Sequence, residues 1–412
     1  MQLIRLVAAL VAATVSIATS PLPHRAAVPA PPGCVASKSK PCFDPAQLRS
    51  LYDTPPIYAS GITGRGETIA VIVSFGDPRL VKDVADFDRT FRLPALSLRV
   101  EAPLGHKHSS DDGWQGETAL DVEWAHAMAP GARIIVLESP VDETEGVQGL
   151  PQFLTLERDA VRQGADIVNQ SWGATEDTLL SRAGRAIVRR FDAFYASESA
   201  KGIVFTTGSG DDGAAGLDDS LHRYFPYRVA QWPASNPHVL SVGGTRIESL
   251  SPPKETAWDR SGGGFSRFYP EPCYQKSLPH DIQMQLNGRR GYPDVAFDGA
   301  GESPVATRVL GHWYAVAGTS LGSPAWAGIM ALADQKAGRR LGDMHDEIYR
   351  LGLTEADFRD ITSGAIQDPP GIRGTETPLH AGPGWDVATG FGTPDVAKLV
   401  GDLSRTPAAG CS

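Results

Sequence analysis

The sequence predicts an α/β fold: a doubly wound, mostly parallel central sheet with helices on its faces. Three observations carry this. Short, uninterrupted apolar runs recur at residues 68–73, 132–137, 165–168, 202–206 and 239–242, and a strand that is apolar without alternation is one buried on both sides. Helical patterns separate several of these runs. In one, Leu180, Ala183, Ile187, Phe191 and Phe194 follow steps of three and four and stop near Gly202, as an amphipathic helix with a glycine stop should. Strands that alternate with helices connect in parallel. The 44 Gly and 32 Pro of the 412 residues add a turn-rich composition that argues against long bundles.

Taken in order, residues 1–20 read as a secretory signal. Arg5 opens it, an apolar stretch runs from Leu6 to Val15, and small residues continue to Ser20. The apolar stretch is too short to span a bilayer, and no other approaches that length, so a secreted protein without a membrane anchor is expected. Residues 21–44 form a Pro/Ala-rich tether with Pro21, Pro23, Pro29, Pro31 and Pro32. Residues 45–402 contain no repeat and no internal linker and should form one domain, and residues 403–412 form a tail. Cys34 and Cys42 enclose a short loop that an oxidising compartment would close, which leaves Cys273 and Cys411 as the second pair of the four cysteines. A net charge of −10 gives no reason to expect nucleic acid.

Three stretches carry chemistry. In the helical segment after the first strand, Glu117 and Asp121 stand one turn apart on one face. Exposed, two like charges there would cost about 0.2 to 0.5 kcal/mol and form a solvated acidic face. Leu120, Val122 and Trp124 instead suggest partial burial, where such a pair shares a proton. The fourth apolar run ends in Thr206-Thr207-Gly208-Ser209-Gly210-Asp211-Asp212-Gly213, which places acids at the C-terminal edge of a sheet, where α/β folds bind ligands. An Asp-Gly turn or a calcium loop would fit; so would a protonated Asp211, or its neighbour Asp212, donating to an oxyanion. Finally Ala317-Gly318-Thr319-Ser320 runs into the helical Gly322-Ser323-Pro324-Ala325-Trp326. A serine there either caps the helix, a role open to Ser320 and Ser323, or exposes a nucleophilic hydroxyl in the positive end of the dipole.

These pieces, in this order, resemble the sedolisin family of serine-carboxyl peptidases. The resemblance spans residues 45–402 and includes Asn169-Gln170-Ser171-Trp172-Gly173, Trp232-Pro233-Ala234-Ser235, Gly262-Gly263-Gly264-Phe265-Ser266 and Pro293-Asp294-Val295-Ala296. It implies a subtilisin-like fold and a secreted, monomeric endopeptidase acting on protein or peptide substrates. Ser320 would be the nucleophile, Glu117 its base, Asp121 the residue that orients Glu117, and Asp211 the oxyanion donor. Glu117 must be ionised while Asp211 is protonated, so an optimum of roughly pH 3 to 5 is expected. Ser171, Trp172 and Gly173 resemble the strand that pairs with a substrate backbone. Phe358-Arg359-Asp360-Ile361-Thr362-Ser363-Gly364 and Ala381-Gly382-Pro383-Gly384-Trp385-Asp386 resemble the family's single Ca2+ site, with carboxylates from Asp360 and Asp386 and carbonyls from Ile361, Gly382 and Gly384.

Two features depart from the family pattern. Family members carry a long pro-domain, whereas about 45 residues precede the resemblance here. Leu321 and Gly322 replace the small residues common after the nucleophile. Three alternatives frame the expectation: a tripeptidyl-type exopeptidase of the same family, an inactive calcium-stabilised binding module, and a subtilisin with a histidine base. The last needs a His-Gly-Thr type segment that none of the ten histidines supplies; His126, followed by Ala127, should pack.

Overall fold

The apolar runs form strands because their alternate residues serve two cores. β1 (Thr68–Ser74) is buried at every position, with Ile69, Val71 and Val73 in one core and Ala70 and Ile72 in the other. The computed structural model describes Gly33 and residues 42–107, 113–143, 145–354, 356–372 and 378–405. Within it β1 joins β2 (Ser97–Glu101), β3 (Arg133–Ser139), β4 (Ile167–Gln170), β5 (Val204–Gly208), β6 (Leu240–Leu250), β7 (Pro253–Ala257) and β8 (Val295–Asp298) in one sheet. The order is β8-β6-β5-β4-β1-β3-β2, parallel at each step, with β7 folded back antiparallel on β6.

Runs 165–168 and 202–206 start ahead of their strands because Ala165 and Ile203 still bond back to the preceding helices, at Ala160 O and Glu198 O. β2 lies at the edge and is half-exposed, so it carries no continuous apolar signal.

Helices α1 (Leu80–Phe91), α2 (Gly113–Met128) and α5 (Gly322–Ala337) contribute to the core on one face. Helices α3 (Leu150–Arg162) and α4 (Arg182–Ser199) contribute to the core on the other. α4 begins later than its apolar pattern, because the Ser181 hydroxyl accepts the Gly184 N–H as a cap and leaves Leu180 outside, 40% exposed. α2 and α5 approach very closely: a Cβ on Gly328 would lie 2.7 Å from Met128 Cβ and 3.0 Å from Ala125 O. Small residues therefore fix the spacing of the two helices that carry Glu117 and follow Ser320.

A hairpin, β9 (Val305–Val309) and β10 (His312–Val316), leads into α5. Cys42 and Cys273 are each disulfide-bonded. Their expected partners Cys34 and Cys411 lie outside the described residues, as do the expected signal, most of the tether, and residues 406–412. Among the described residues no helix is long and apolar enough to cross a membrane.

Candidate active site

Three chain segments converge at the C-terminal edge of the sheet. Ser320 lies in a tight 3-10 turn (Thr319–Leu321) that leads straight into α5. Gly318 before it has φ 137°, a conformation that side chains with a Cβ rarely adopt. Neither serine caps α5, whose N-terminus has no side-chain cap. Ser323 is fully buried and donates to Asn169 Oδ1 at 2.6 Å. Ser320 is only half-buried and opens on a cleft of about 220 Å³ shared with Asp211, Thr319, Trp172, Gly173 and Glu145.

Glu117 and Asp121 sit on α2 and meet behind this cleft. Asp121 is fully buried and its Oδ1 accepts the Ser171 hydroxyl at 2.6 Å. Burial pushes Asp121 up to about 7, against hydrogen bonds from Ser171, Asn169 and Glu117. Burial also raises Glu117, and the Asp121 charge adds to it, while the Ser320 hydroxyl acts the other way as a hydrogen-bond partner. Glu117 Oε1 and Asp121 Oδ2 are buried without a protein donor among the described residues. Ionising both would place adjacent charges in a poorly solvated site, so the pair gives up its two protons in separate steps.

Asp211 follows β5. Its Oδ1 accepts both the Thr319 N–H and the Thr319 hydroxyl at 2.8 Å, and Thr319 Oγ1 in turn accepts the Gly210 N–H at 3.1 Å. Oδ1 is thus committed as an acceptor, so a proton on Asp211 belongs on Oδ2. Oδ2 lies 2.7 Å from the point a Cβ on residue 318 would occupy. Burial raises Asp211, with the Thr319 bonds opposing. Asp212 turns to the rim, where Tyr224 donates to it at 2.9 Å and Arg260 at 3.1 Å. The geometry thus separates two acids that the sequence left as alternatives.

Residues 171–173 form an open link between β4 and the short Ala174–Thr175 strand, not the strand their resemblance suggests. The Ser171 hydroxyl is spent on Asp121. Trp172 is 7% exposed and packs edge-on to Phe153 at 4.8 Å. A Cβ on Gly173 would lie 2.9 Å from Trp232 O, so this link runs tight against the cleft wall.

Away from the cleft, Asp360 and Asp386 hold one loop. Asp360 Oδ2 accepts the Gly384 N–H at 2.9 Å and Asp386 Oδ2 accepts the Gly382 N–H at 2.8 Å. Asp386 Oδ1 accepts the Ala388 and Thr389 N–H groups at 2.8 and 2.9 Å. Burial raises both acids, Asp386 to about 7. Among the described residues no group of three or more His, Cys, Asp or Glu side chains could hold a metal. The expected set has two carboxylates and otherwise carbonyls from Ile361, Gly382 and Gly384. That all-oxygen donor chemistry fits a hard cation.

The subtilase family profile matches residues 113–392, from the start of α2 to beyond the Asp386 loop. The chain belongs to the subtilase family. Within it the similarity is to the sedolisins, the serine-carboxyl peptidases. Kumamolisin from Bacillus sp. (strain MN-32) is 29% identical over 373 residues, 87% of this chain and 63% of that protein. Human tripeptidyl-peptidase 1 is 30% identical over 382 residues, 87% of this chain and 64% of that one. The chain thus spans less than two thirds of the length of these relatives. Among solved structures, Pseudomonas sedolisin complexed with two molecules of pseudo-iodotyrostatin superposes with a TM-score of 0.73 at 26% identity, over 87% of this chain and 97% of that one.

In this sedolisin-family chain, sequence reasoning missed Thr319 as the clamp on Asp211 and Ser171 as the partner of Asp121. Both lie next to residues that were found, in Gly318-Thr319-Ser320 and Asn169-Gln170-Ser171, but no spacing rule says where a hydroxyl points. Glu145 was missed as well. It is held at the cleft by Thr175 N, Thr175 Oγ1 and Thr178 Oγ1 at 2.6 to 3.1 Å.

Proposed function

We propose that this chain is a secreted serine-carboxyl endopeptidase that hydrolyses protein or peptide substrates in acid, with Ser320, Glu117, Asp121 and Asp211 as its working groups. The observation that carries this reading is the convergence of Ser320, the adjacent Glu117–Asp121 pair and a half-buried Asp211 at one cleft. Ser320 Oγ attacks the scissile carbonyl carbon while its proton passes to Glu117. Asp121, fixed by Ser171, holds Glu117 in place. The oxyanion receives a hydrogen bond from protonated Asp211 Oδ2. Collapse breaks the C–N bond, Glu117 returns the proton to the leaving amine, and water then cleaves the ester with Glu117 again as base. The main chain at residues 171–173 offers an extended peptide its backbone partners.

The pH dependence follows from two proton demands. The Glu117–Asp121 pair must have lost one proton, and Asp211 must keep its own. Burial raises all three acids, which moves the working window toward the upper end of the expected range of about pH 3 to 5. Ca2+ bound by Asp360, Asp386 and the carbonyls of Ile361, Gly382 and Gly384 would tie the loop down electrostatically, without a part in the reaction.

Hydrolysis of casein and of a peptide library from pH 3 to 8, with Ser320→Ala and Glu117→Ala, tests this reading. Each variant should lose about a thousandfold or more in kcat, and the fragments report whether cuts are internal. Full activity in either variant, or a peak at neutral pH, refutes the mechanism.

A further inference from the structure

A second set of buried acids lies beneath the β9–β10 hairpin. Asp77, Asp83, Asp86, Asp88 and Glu123 are each no more than 7% exposed. Two of them accept main-chain N–H groups of the hairpin: Arg308 N donates to Glu123 Oε2 and Gly311 N to Asp83 Oδ2, both at 2.9 Å. The two-residue turn has φ 48° at Leu310 and 83° at Gly311. It is therefore of the primed type, and a leucine in the left-handed region needs outside support.

Cations are fewer than acids here. Arg308 reaches Asp83 at 4.0 Å and Asp86 at 3.5 Å, Arg79 reaches Asp83 at 3.8 Å, Arg89 pairs with Asp86, and His126 lies 3.1 Å from Asp88. None of these ion pairs includes Glu123 or Asp77. Glu123 Oε1 and Asp77 Oδ2 are buried without a hydrogen-bond partner among the described residues.

Position gives Glu123 its significance. It lies two residues beyond Asp121 on α2, hence on the opposite face of the helix, and it grips the hairpin whose second strand ends four residues before Ser320. We propose, resting on the peptidase reading above, that Glu123 is a positioning residue. Its carboxyl holds β9–β10, and with it residues 318–320, in register with the helix that carries Glu117 and Asp121.

Glu123 does this as a neutral acid. Burial drives it well above the usual carboxylate range, Asp83, Asp88 and Asp77 push the same way, and the Arg308 N–H opposes. Its stabilising contribution is therefore complete below the value of an exposed glutamate, about 4.3, and is lost as pH rises through the raised folded-state value. Once ionised it adds an anion with no cation of its own to a dry cluster, and the grip on Arg308 is strained by its neighbours.

Glu123→Gln and Glu123→Ala in the full chain test this. Glutamine keeps an acceptor for Arg308 N–H and cannot ionise; alanine removes the grip. Near pH 4.5 the alanine variant should lose at least about tenfold in kcat with KM within about twofold, and glutamine should recover most of that loss. The thermal midpoint of the glutamine variant should fall less steeply than wild type between pH 5 and 7.5. Wild-type kcat in the alanine variant, or a glutamine variant whose midpoint falls as steeply as wild type, overturns the proposal. If wild type cleaves no peptide, the peptidase reading fails, and the thermal comparison still decides the state in which Glu123 works. If the alanine variant does not fold, the glutamine comparison decides alone.

Discussion

Gly318→Ala tests the oxyanion assignment without replacing any reacting group. The added Cβ would lie 2.7 Å from Asp211 Oδ2, several tenths of an ångström inside normal carbon–oxygen contact, and φ 137° is a backbone conformation that strains alanine. Asp211 can yield only by giving up its two bonds from Thr319, at about 0.5 to 1.5 kcal/mol each. Moving the donor off the oxyanion should cost about 2.7 to 4 kcal/mol of transition-state stabilisation, or roughly 10² to 10³ in kcat, with little change in KM. The assay is steady-state hydrolysis of a peptide near the acid optimum, with Gly342→Ala as control. That glycine has φ 75° and its Cβ would lie 2.5 Å from Ser199 O, remote from the cleft. Both variants should lose a few °C in thermal midpoint from about 1 to 3 kcal/mol of strain. Only Gly318→Ala should lose kcat. Wild-type kcat in Gly318→Ala, or an equal loss in the control, would refute the role given to Asp211.

The remaining predictions concern stability. Glu157 and Asp298 are fully buried acids that, like Glu123, are raised well above their ordinary values chiefly by burial. Each favours folding fully below about pH 4 and loses that contribution as pH rises through its raised value. The calorimetric midpoint should therefore fall by about 5 °C or more from pH 4.5 to 7.5; a midpoint that is flat or rises would contradict this. Chelation with EGTA should lower the midpoint at constant pH, and Asp386→Asn should abolish the difference that calcium makes. An unchanged midpoint on chelation would argue against the proposed ion.

How much could be read from the sequence depended on how local the cause was. The apolar run of β1 was legible because two-sided burial leaves no polar residue in it. Edge strand β2, half-exposed, left no such trace. Ser320, Glu117, Asp121 and Asp211 were legible because their order along the chain is distinctive, and the structure brings all four to one place. Their supports were not, because Ser171 and Thr319 are ordinary hydroxyls until the fold aims them. Glu123 was hidden for another reason. It lies between Val122 and Trp124 on a helix buried throughout residues 118–128, where no amphipathic stripe marks which polar residue faces a partner.

The buried ionisable groups divide into two kinds with opposite responses to pH. At one end of the sheet Arg290 Nη2 donates to both carboxylate oxygens of Asp294 at 2.7 Å, both residues fully buried, and His345 bridges Asp294 to Asp343 at 3.2 and 2.5 Å. Burial would raise Asp294, yet Arg290 and His345 hold it at about 2. Burial would lower His345, yet Asp343 and Asp294 carry it to about 10. The contribution of Asp294 is lost only as pH falls through about 2, and that of His345 only as pH rises through about 10. This network therefore stays charged and paired across the whole working range. The acids without cations behave otherwise: Glu117, Asp121 and Glu123 all lie on α2, Glu123 on the face turned to the hairpin and the other two behind the cleft that Asp211 lines. A rise toward neutral pH thus acts first on the helix and hairpin that frame Ser320, while the paired network still holds its end of the sheet. Loss of activity should therefore precede global unfolding, and the two would separate as distinct transitions when activity and ellipticity are followed on the same sample.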